Sequence, residues 1–200
     1  MKYFSLITFL VFTSLYACST KQSSEGVSNE SKVSSSDNTF PDGNIIEFQS
    51  APDTLKGSLK AYAAGKVGDV NVLIEYHSPA VRGRIIWGGL VPYNQVWVTG
   101  AHMATSISFD APLMFAGNEV EAGKYALFTI PSEDEWVFIL NKNWKQHLAD
   151  KYNEQEDALK LSVKQEMIEN NQERLRYVIT EDTLELIWER KKIIIPLQQK

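Results

Sequence analysis

Apolar residues at every second position are the feature that most restricts how this chain folds. Val70, Val72, Ile74 and Tyr76 form one such run, and alternation of this kind places all four side chains on one face of a β-strand. Similar runs recur along the chain at residues 106–109, 124–130, 135–140, 159–164, 175–179, 184–188 and 193–197. About eight short strands with tight turns predict an all-β domain, either an antiparallel β-sandwich or a flattened barrel.

One segment departs from the alternation. Trp144, Leu148 and Tyr152 lie four residues apart, and this spacing places three side chains on one face of a helix. The sequence therefore predicts one short helix that caps an end of the sandwich.

Residues 1–17 are typical of an export signal. They carry one early charge, Lys2, then an apolar run and a small residue before Cys18. The run is too short and too polar to cross a bilayer, which takes about 20 apolar residues. The end of the run, Leu15-Tyr16-Ala17-Cys18, resembles the bacterial lipobox, whose cysteine is lipidated and becomes the mature N-terminus. We expect an exported, membrane-anchored lipoprotein on the periplasmic or cell-surface face; a soluble secreted protein is the alternative.

Residues 18–44 differ in composition from the rest of the chain. This segment is rich in Ser and Asn and poor in apolar side chains, so it cannot bury enough apolar surface to offset the entropy of ordering. It is expected to be a disordered tether behind the lipidated cysteine. Residues 45–200 suit one domain. The formal net charge is −5 and no block of Lys or Arg occurs, which argues against a nucleic-acid partner.

Familiar motifs for catalysis or metal binding do not occur in the sequence. The histidines His77, His102 and His147 form no HxH or HExxH motif, and Cys18 is the sole cysteine. Neither a Gly-x-Ser-x-Gly elbow nor a glycine-rich phosphate loop is present. We therefore predict no metal ion, no cofactor and no catalytic residue, although His77 and His102 could meet in space.

An aromatic and basic stretch, residues 76–109, is the best candidate for a ligand site. Aromatic rings close to arginines suit planar or anionic ligands, through stacking and bidentate hydrogen bonds. The alternative is that the tryptophans belong to the core and the arginines to the surface. The candidate ligand-binding residues are His77, Arg82, Arg84, Trp87, Tyr93, Trp97 and His102.

The segment VWVTGAHMAT, residues 96–105, is expected to be a framework turn that leads into a strand around residues 105–109. In this interpretation Trp97 serves packing. Gly100 serves backbone freedom, because glycine reaches positive φ without steric cost.

Three stretches of the chain resemble a bacterial family known as domain of unknown function 2911. They are SPAVRGRIIWGGLVPYNQVWVTGA (78–101), EAGKYALFTIP (121–131) and EWVFILNKNW (135–144). The resemblance covers about Val67 to Leu197 and implies a secreted or lipid-anchored all-β domain, without an activity. The usual Arg-Thr-Gly-Ala-Asn-Glu-Ala-Thr of that family is altered here, since Val98, His102 and Met103 replace its Arg, Asn and Glu.

The sequence thus favours a non-enzymatic, lipid-anchored envelope protein whose domain binds a small molecule, a glycan or another envelope protein. A hydrolase or metal-dependent enzyme with a degenerate site near His77 and His102 is one alternative. A purely structural envelope protein is the other.

Overall fold

The computed structural model describes residues 43–200, and these residues form an all-β structure. Its ten strands are β1 (Gly43–Ile46), β2 (Leu59–Val67), β3 (Val70–Ser78), β4 (Ser106–Phe109), β5 (Leu113–Phe115), β6 (Asn118–Val120), β7 (Gly123–Ile130), β8 (Glu135–Asn141), β9 (Asp157–Ile179) and β10 (Thr183–Gln199). The signal peptide, Cys18 and most of the predicted tether lie outside the described residues. The described part contains no helix long and apolar enough to cross a membrane.

All strand pairs are antiparallel, and the sheet runs in the order β1-β2-β3-β4-β7-β8-β9-β10-β5-β6 without closing. Strand β9 connects its two parts, because residues 157–164 pair with β8 and residues 165–179 pair with β10. The sheet also curls over itself. Beyond β3, Ala80 forms a bridge with Arg174 of β9, and an added Cβ at Gly65 of β2 would lie 2.8 Å from Ile179 Cγ2. The predicted sandwich-like all-β class is confirmed, with ten strands rather than about eight.

The first core lies on the inner face of the curled sheet. The alternating residues of β3 are buried, as predicted, and Tyr76 meets Tyr177 edge to face with ring centres 4.9 Å apart. Trp136 and Trp188 are almost completely buried in the same cluster. Removal of this apolar surface from water contributes about 25 cal/mol per Å², so the inner face accounts for most of the burial that stabilises the fold.

A second core covers the outer face of β7 and β8. Its buried members are Val98, Ala104, Ala126, Phe128 and Ile139. Two segments without regular strands, residues 92–105 and 142–153, supply the cover; we call them the cover loops. Residues 125–129 are therefore buried without alternation, as expected for a strand covered on both faces.

The helix predicted around residues 144–152 is wrong. This segment consists of turns, and the described part of the chain has only a single 3₁₀ turn at Glu154–Glu156. The side chain of Gln146 binds the Asn143 carbonyl and the Lys151 amide, and Leu148 has φ +48°, which a right-handed helix excludes. Trp144 and Tyr152 still pack against the second core, so the apolar spacing marked a covering loop.

Candidate functional site: a groove and a histidine pair

Four of the five tryptophans lie together in one cluster. Trp97 stacks on Trp188 with ring centres 5.7 Å apart, and Trp87 meets Trp136 at 4.8 Å. Trp136 and Trp188 are buried, whereas Trp87 and Trp97 are half-buried and pack against the first core. Aromatic pairs at these distances stabilise a core beyond their buried area alone. The two tryptophans that the sequence proposed for a ligand site thus have a clear packing role.

Trp87 and Tyr93 enclose a lysine of the chain itself. The Lys191 ammonium lies 5.7 Å from the centre of the Trp87 ring and 5.3 Å from that of Tyr93, and it is 3.4 Å from the Tyr93 hydroxyl. The Trp87 indole N–H donates to Glu189 at 3.2 Å. Glu189 lies at an irregularity of the β9–β10 pairing, and a bulge of this kind re-aims nearby side chains. Sequence reasoning missed Lys191, which is 98 positions along the chain from Tyr93.

A groove beside this cluster is lined by four of the seven predicted ligand-binding residues. We call it the arginine groove; its volume is about 370 Å³. Arg82, Arg84 and His102 are its basic lining residues, and no carboxylate belongs to its lining. Its larger apolar lining residues are Leu90, Val91, Trp97, Val98, Leu148 and Trp188. The structure therefore places Arg82, Arg84, Trp97 and His102 around one space, while Trp87 and Tyr93 lie outside its lining.

The two arginines of the groove are held differently. Arg84 donates to the carbonyl oxygens of Ala80 at 2.5 Å and Val81 at 3.1 Å. Arg82 has φ +50° and is exposed; its backbone N–H binds Glu173 at 2.7 Å, but its guanidinium has no hydrogen-bond or ion-pair partner within residues 43–200. Arg84 is thus a fixed charge at the wall, and Arg82 is the guanidinium available to an anion.

His77 and His102 meet at the edge of the groove. Their rings lie edge to face, with centres 5.1 Å apart and planes at 78°. His77 projects from the outer face of β3 and is half-buried, whereas His102 is exposed in a cover loop. Burial, followed by the charge of His102, lowers the pKa of His77. The third histidine, His147, pairs with Asp150 at 3.2 Å instead.

A smaller cavity of about 220 Å³ opens on the other side of His77. The Lys124 ammonium contacts the Glu75 carboxylate here and lies 4.4 Å over the ring of Trp144. Met103 also lines this cavity, and its side chain is 48% exposed. His77 therefore borders a cavity with mixed charges, while His102 borders the arginine groove.

The cover loop is fixed by a buried polar network around Thr99. The Thr99 carbonyl accepts hydrogen bonds from the Tyr177 hydroxyl at 2.6 Å and the Thr105 hydroxyl at 3.0 Å. The Thr99 hydroxyl lies 3.1 Å from that of Thr129. Such satisfied networks hold a loop in one conformation. Sequence reasoning did not predict this network, because its members come from three separated segments: the cover loop, β7 and β9.

The prediction that Gly100 is needed for the backbone freedom of a positive φ is wrong. The left-handed residues are its neighbours Thr99 at φ +53° and His102 at φ +61°, whereas Gly100 itself does not have a positive φ of this kind. Glycine is required there for space: an added Cβ would lie 2.7 Å from Thr105 Oγ1 and 3.2 Å from the His77 carbonyl oxygen. The close passage of the loop over β3 brings His102 against His77.

Comparison with known families agrees with the motifs. The family described as protein of unknown function (DUF2911) matches residues 58–197. This range runs from the residue before β2 to Leu197, the last buried residue of β10. The chain belongs to this family. The predicted resemblance is confirmed, and the match begins nine residues before the Val67 boundary inferred from the motifs. No curated protein and no solved structure matches the chain.

Proposed function

We propose that this protein of the DUF2911 family is a lipid-anchored protein of the bacterial cell envelope and binds a small anionic amphiphile in the arginine groove. The observation that carries the proposal is the lining of the groove, which combines guanidinium and imidazole groups with a broad apolar wall and lacks a carboxylate. A molecule with a carboxylate or phosphate head and a hydrocarbon body matches both parts.

The head group of such a ligand would be recognised by Arg82. A guanidinium binds carboxylate and phosphate oxygens through two parallel hydrogen bonds, and Arg84 adds a fixed positive charge to the same wall. The attraction is not offset by an acidic lining residue. The anion would therefore find a partner whose donors are not already used within the described chain.

The hydrocarbon body of the ligand would lie against Trp97, Leu148 and their apolar neighbours. The volume of about 370 Å³ falls within the range of roughly 300–1,000 Å³ typical of small-molecule sites. Trp188 adds a second indole ring to this wall.

Binding is favoured over hydrolysis by the chemistry of the lining. His102 is the one imidazole in the groove lining, and its ring packs against a second imidazole rather than a carboxylate that would orient it. General-base catalysis usually employs such an orienting group. The groove therefore supplies anchoring groups more clearly than a reacting pair.

The test of the groove compares a twelve-carbon carboxylate with the alcohol of the same length by calorimetry. We expect the carboxylate to bind more tightly, and Arg82→Gln to weaken it about tenfold or more, since hydrogen bonds to charged groups contribute roughly 1.5–3 kcal/mol. The alcohol should be insensitive to Arg82→Gln. Leu148→Gln should weaken both probes.

Arg190→Gln is the matched control, because Arg190 is an exposed arginine outside the groove lining. Equal affinity for the carboxylate and the alcohol, or an equal loss in Arg190→Gln, would contradict the proposal. A protein that binds neither probe would favour the purely structural alternative.

The membrane anchor rests on the sequence, since Cys18 lies outside the described residues. Cys18→Ser should move the protein from the membrane fraction to the soluble fraction, and mass spectrometry of the wild-type N-terminus should show a lipidated cysteine. An unmodified Cys18 in the mature wild-type protein would refute the anchor.

A further inference from the structure

The paired histidines lack the partners that would explain them structurally. Neither the His77 ring nor the His102 ring makes a hydrogen bond or an ion pair within residues 43–200, in contrast to His147 with Asp150. His102 nevertheless has φ +61°, a conformation that is uncommon for residues other than glycine and that Asn, Asp and His adopt more often than the rest. Backbone strain of this kind is often found at functional sites.

The distance between the two rings matches a shared metal ion. An ion about 2.0–2.1 Å from one nitrogen of each imidazole lies roughly 3.2 Å from each ring centre. Ring centres 5.1 Å apart then subtend roughly 105° at the ion, which is close to the tetrahedral angle preferred by Zn²⁺ and acceptable to Cu⁺. The torsion about the Cβ–Cγ bond is broad for histidine, and rotation about this bond redirects the ring nitrogens while the ring centre stays close to its place.

The backbone at both histidines is held in place by hydrogen bonds that do not need a metal ion. His77 extends from a paired position of β3, opposite Lys60 of β2. The carbonyl oxygen of His102 accepts a hydrogen bond from the Leu148 N–H at 2.7 Å, which ties one cover loop to the other.

Met103 offers a third ligand beside the pair. It follows His102 directly and lines the same cavity as His77, with its side chain half exposed. Within residues 43–200, no group of three or more His, Cys, Asp or Glu is arranged to hold a metal ion, so a thioether is the natural completion. Thioethers select Cu⁺, whereas carboxylates suit harder ions. Two charges act on His77 in opposite directions: Lys60 lowers the pKa of its ring and Glu47 raises it.

We infer that His77, His102 and Met103 form a site for a soft transition-metal ion, Cu⁺ above all, on the outer face of the sheet. The site requires no ligand in the arginine groove. The two proposals share His102, but Arg82→Gln tests only the groove and His77→Gln tests only the metal site.

The experiment titrates the full-length chain with Cu⁺ held by a chromophoric chelator, without oxygen. All samples carry Cys18→Ser, so that the thiol does not compete for the ion. We expect one Cu⁺ to be withdrawn from the chelator per chain. His77→Gln and His102→Asn should each weaken binding at least about tenfold, because even the loss of a group that only orients a ligand costs 10–100-fold.

Met103→Leu separates copper from zinc. It should weaken Cu⁺ binding about tenfold while leaving the weaker binding of Zn²⁺ by the two histidines within about threefold, since leucine matches methionine in volume but has no sulfur. His147→Asn is the matched control and should leave Cu⁺ binding unchanged. His102→Asn should melt like the parent without metal, because asparagine tolerates positive φ.

Two results would overturn the site, and one further result would overturn part of its assignment. The first is a chain that withdraws no Cu⁺ from the chelator. The second is parental affinity in His77→Gln or His102→Asn, or an equal loss in His147→Asn. Parental Cu⁺ affinity in Met103→Leu would overturn the assignment of Met103 and of copper.

Discussion

The two cores of this domain are built by different means. The first core is made by strands whose side chains alternate, so each residue of β3 faces either the interior or the outer surface. The second core is closed by the cover loops, which have left-handed residues such as Thr99, His102 and Leu148 and a buried polar network. The alternation of apolar residues is therefore enough to predict the first core, whereas the second core depends on particular hydrogen bonds and loop conformations. The candidate sites lie beside the second core.

The largest expected effect tests the two cores at adjacent positions of β8. Trp136 faces the first core and is completely buried, while Val137 is half-buried against the second core. Trp136→Ala should lower the free energy of unfolding by about 3–5 kcal/mol, and Val137→Ala by about 1 kcal/mol. Urea denaturation of both variants measures the difference. Equal losses would show that the two cores contribute alike.

A smaller effect is expected where the cover loop passes over β3. Gly100→Ala should cost about 2 kcal/mol, because the new Cβ would lie 2.7 Å from Thr105 Oγ1 and overpacking typically costs 1–3 kcal/mol. Thr105→Ala removes the clashing oxygen. The double variant should therefore lose less than the sum of the two single losses, as measured by thermal melts with a van't Hoff analysis. Strict additivity would mean that these two groups do not collide.

The smallest effect concerns the ion pair between Asp53, which precedes β2, and Arg174 of β9. The Arg174 guanidinium donates to both carboxylate oxygens and lowers the pKa of Asp53 from 3.8 to about 2. A lowered carboxyl pKa stabilises the fold above pH 3.8, and this contribution is lost as the pH falls towards 2.

Asp53→Asn should therefore cost about 1 kcal/mol at pH 7, since the buried Arg174 guanidinium keeps its hydrogen bonds to the Gly57 and Ser78 carbonyls, and much less near pH 2. Denaturation at both pH values measures this, with Asp69→Asn as a control, because Asp69 is exposed and forms no ion pair within the described chain. A loss independent of pH would assign the effect to packing instead of charge.

The inner face was predictable from the sequence because its alternation is continuous. Long strands were not: the sequence predicts separate strands at 159–164 and 175–179, whereas β9 runs from Asp157 to Ile179. The middle of β9 is polar and largely exposed on both faces. The alternation of apolar and polar residues therefore stops there, although the pairing with β10 continues. The three-residue strands β5 and β6 are too short for any period to show.

The site was predictable in part. A dense aromatic and basic stretch correctly singled out residues that gather near one another, because most of them belong to a single loop region. Lys191 and Tyr177 come from distant strands, and nothing in their local sequence links them to this loop. The same holds for the contact of His77 with His102, which depends on the three-dimensional path of the loop around Gly100.

The tryptophan cluster gives the domain an optical property. Indole rings 4.8–6.4 Å apart are close enough for their excited states to couple, which should produce a strong near-ultraviolet circular dichroism signal and efficient energy transfer. Trp97 and Trp188 line the arginine groove, so an occupant would change the emission of the whole cluster. The fifth tryptophan, Trp144, borders the cavity beside His77 and Met103. Copper quenching of Trp144 and ligand effects on the cluster would then be separable signals from one unlabelled protein.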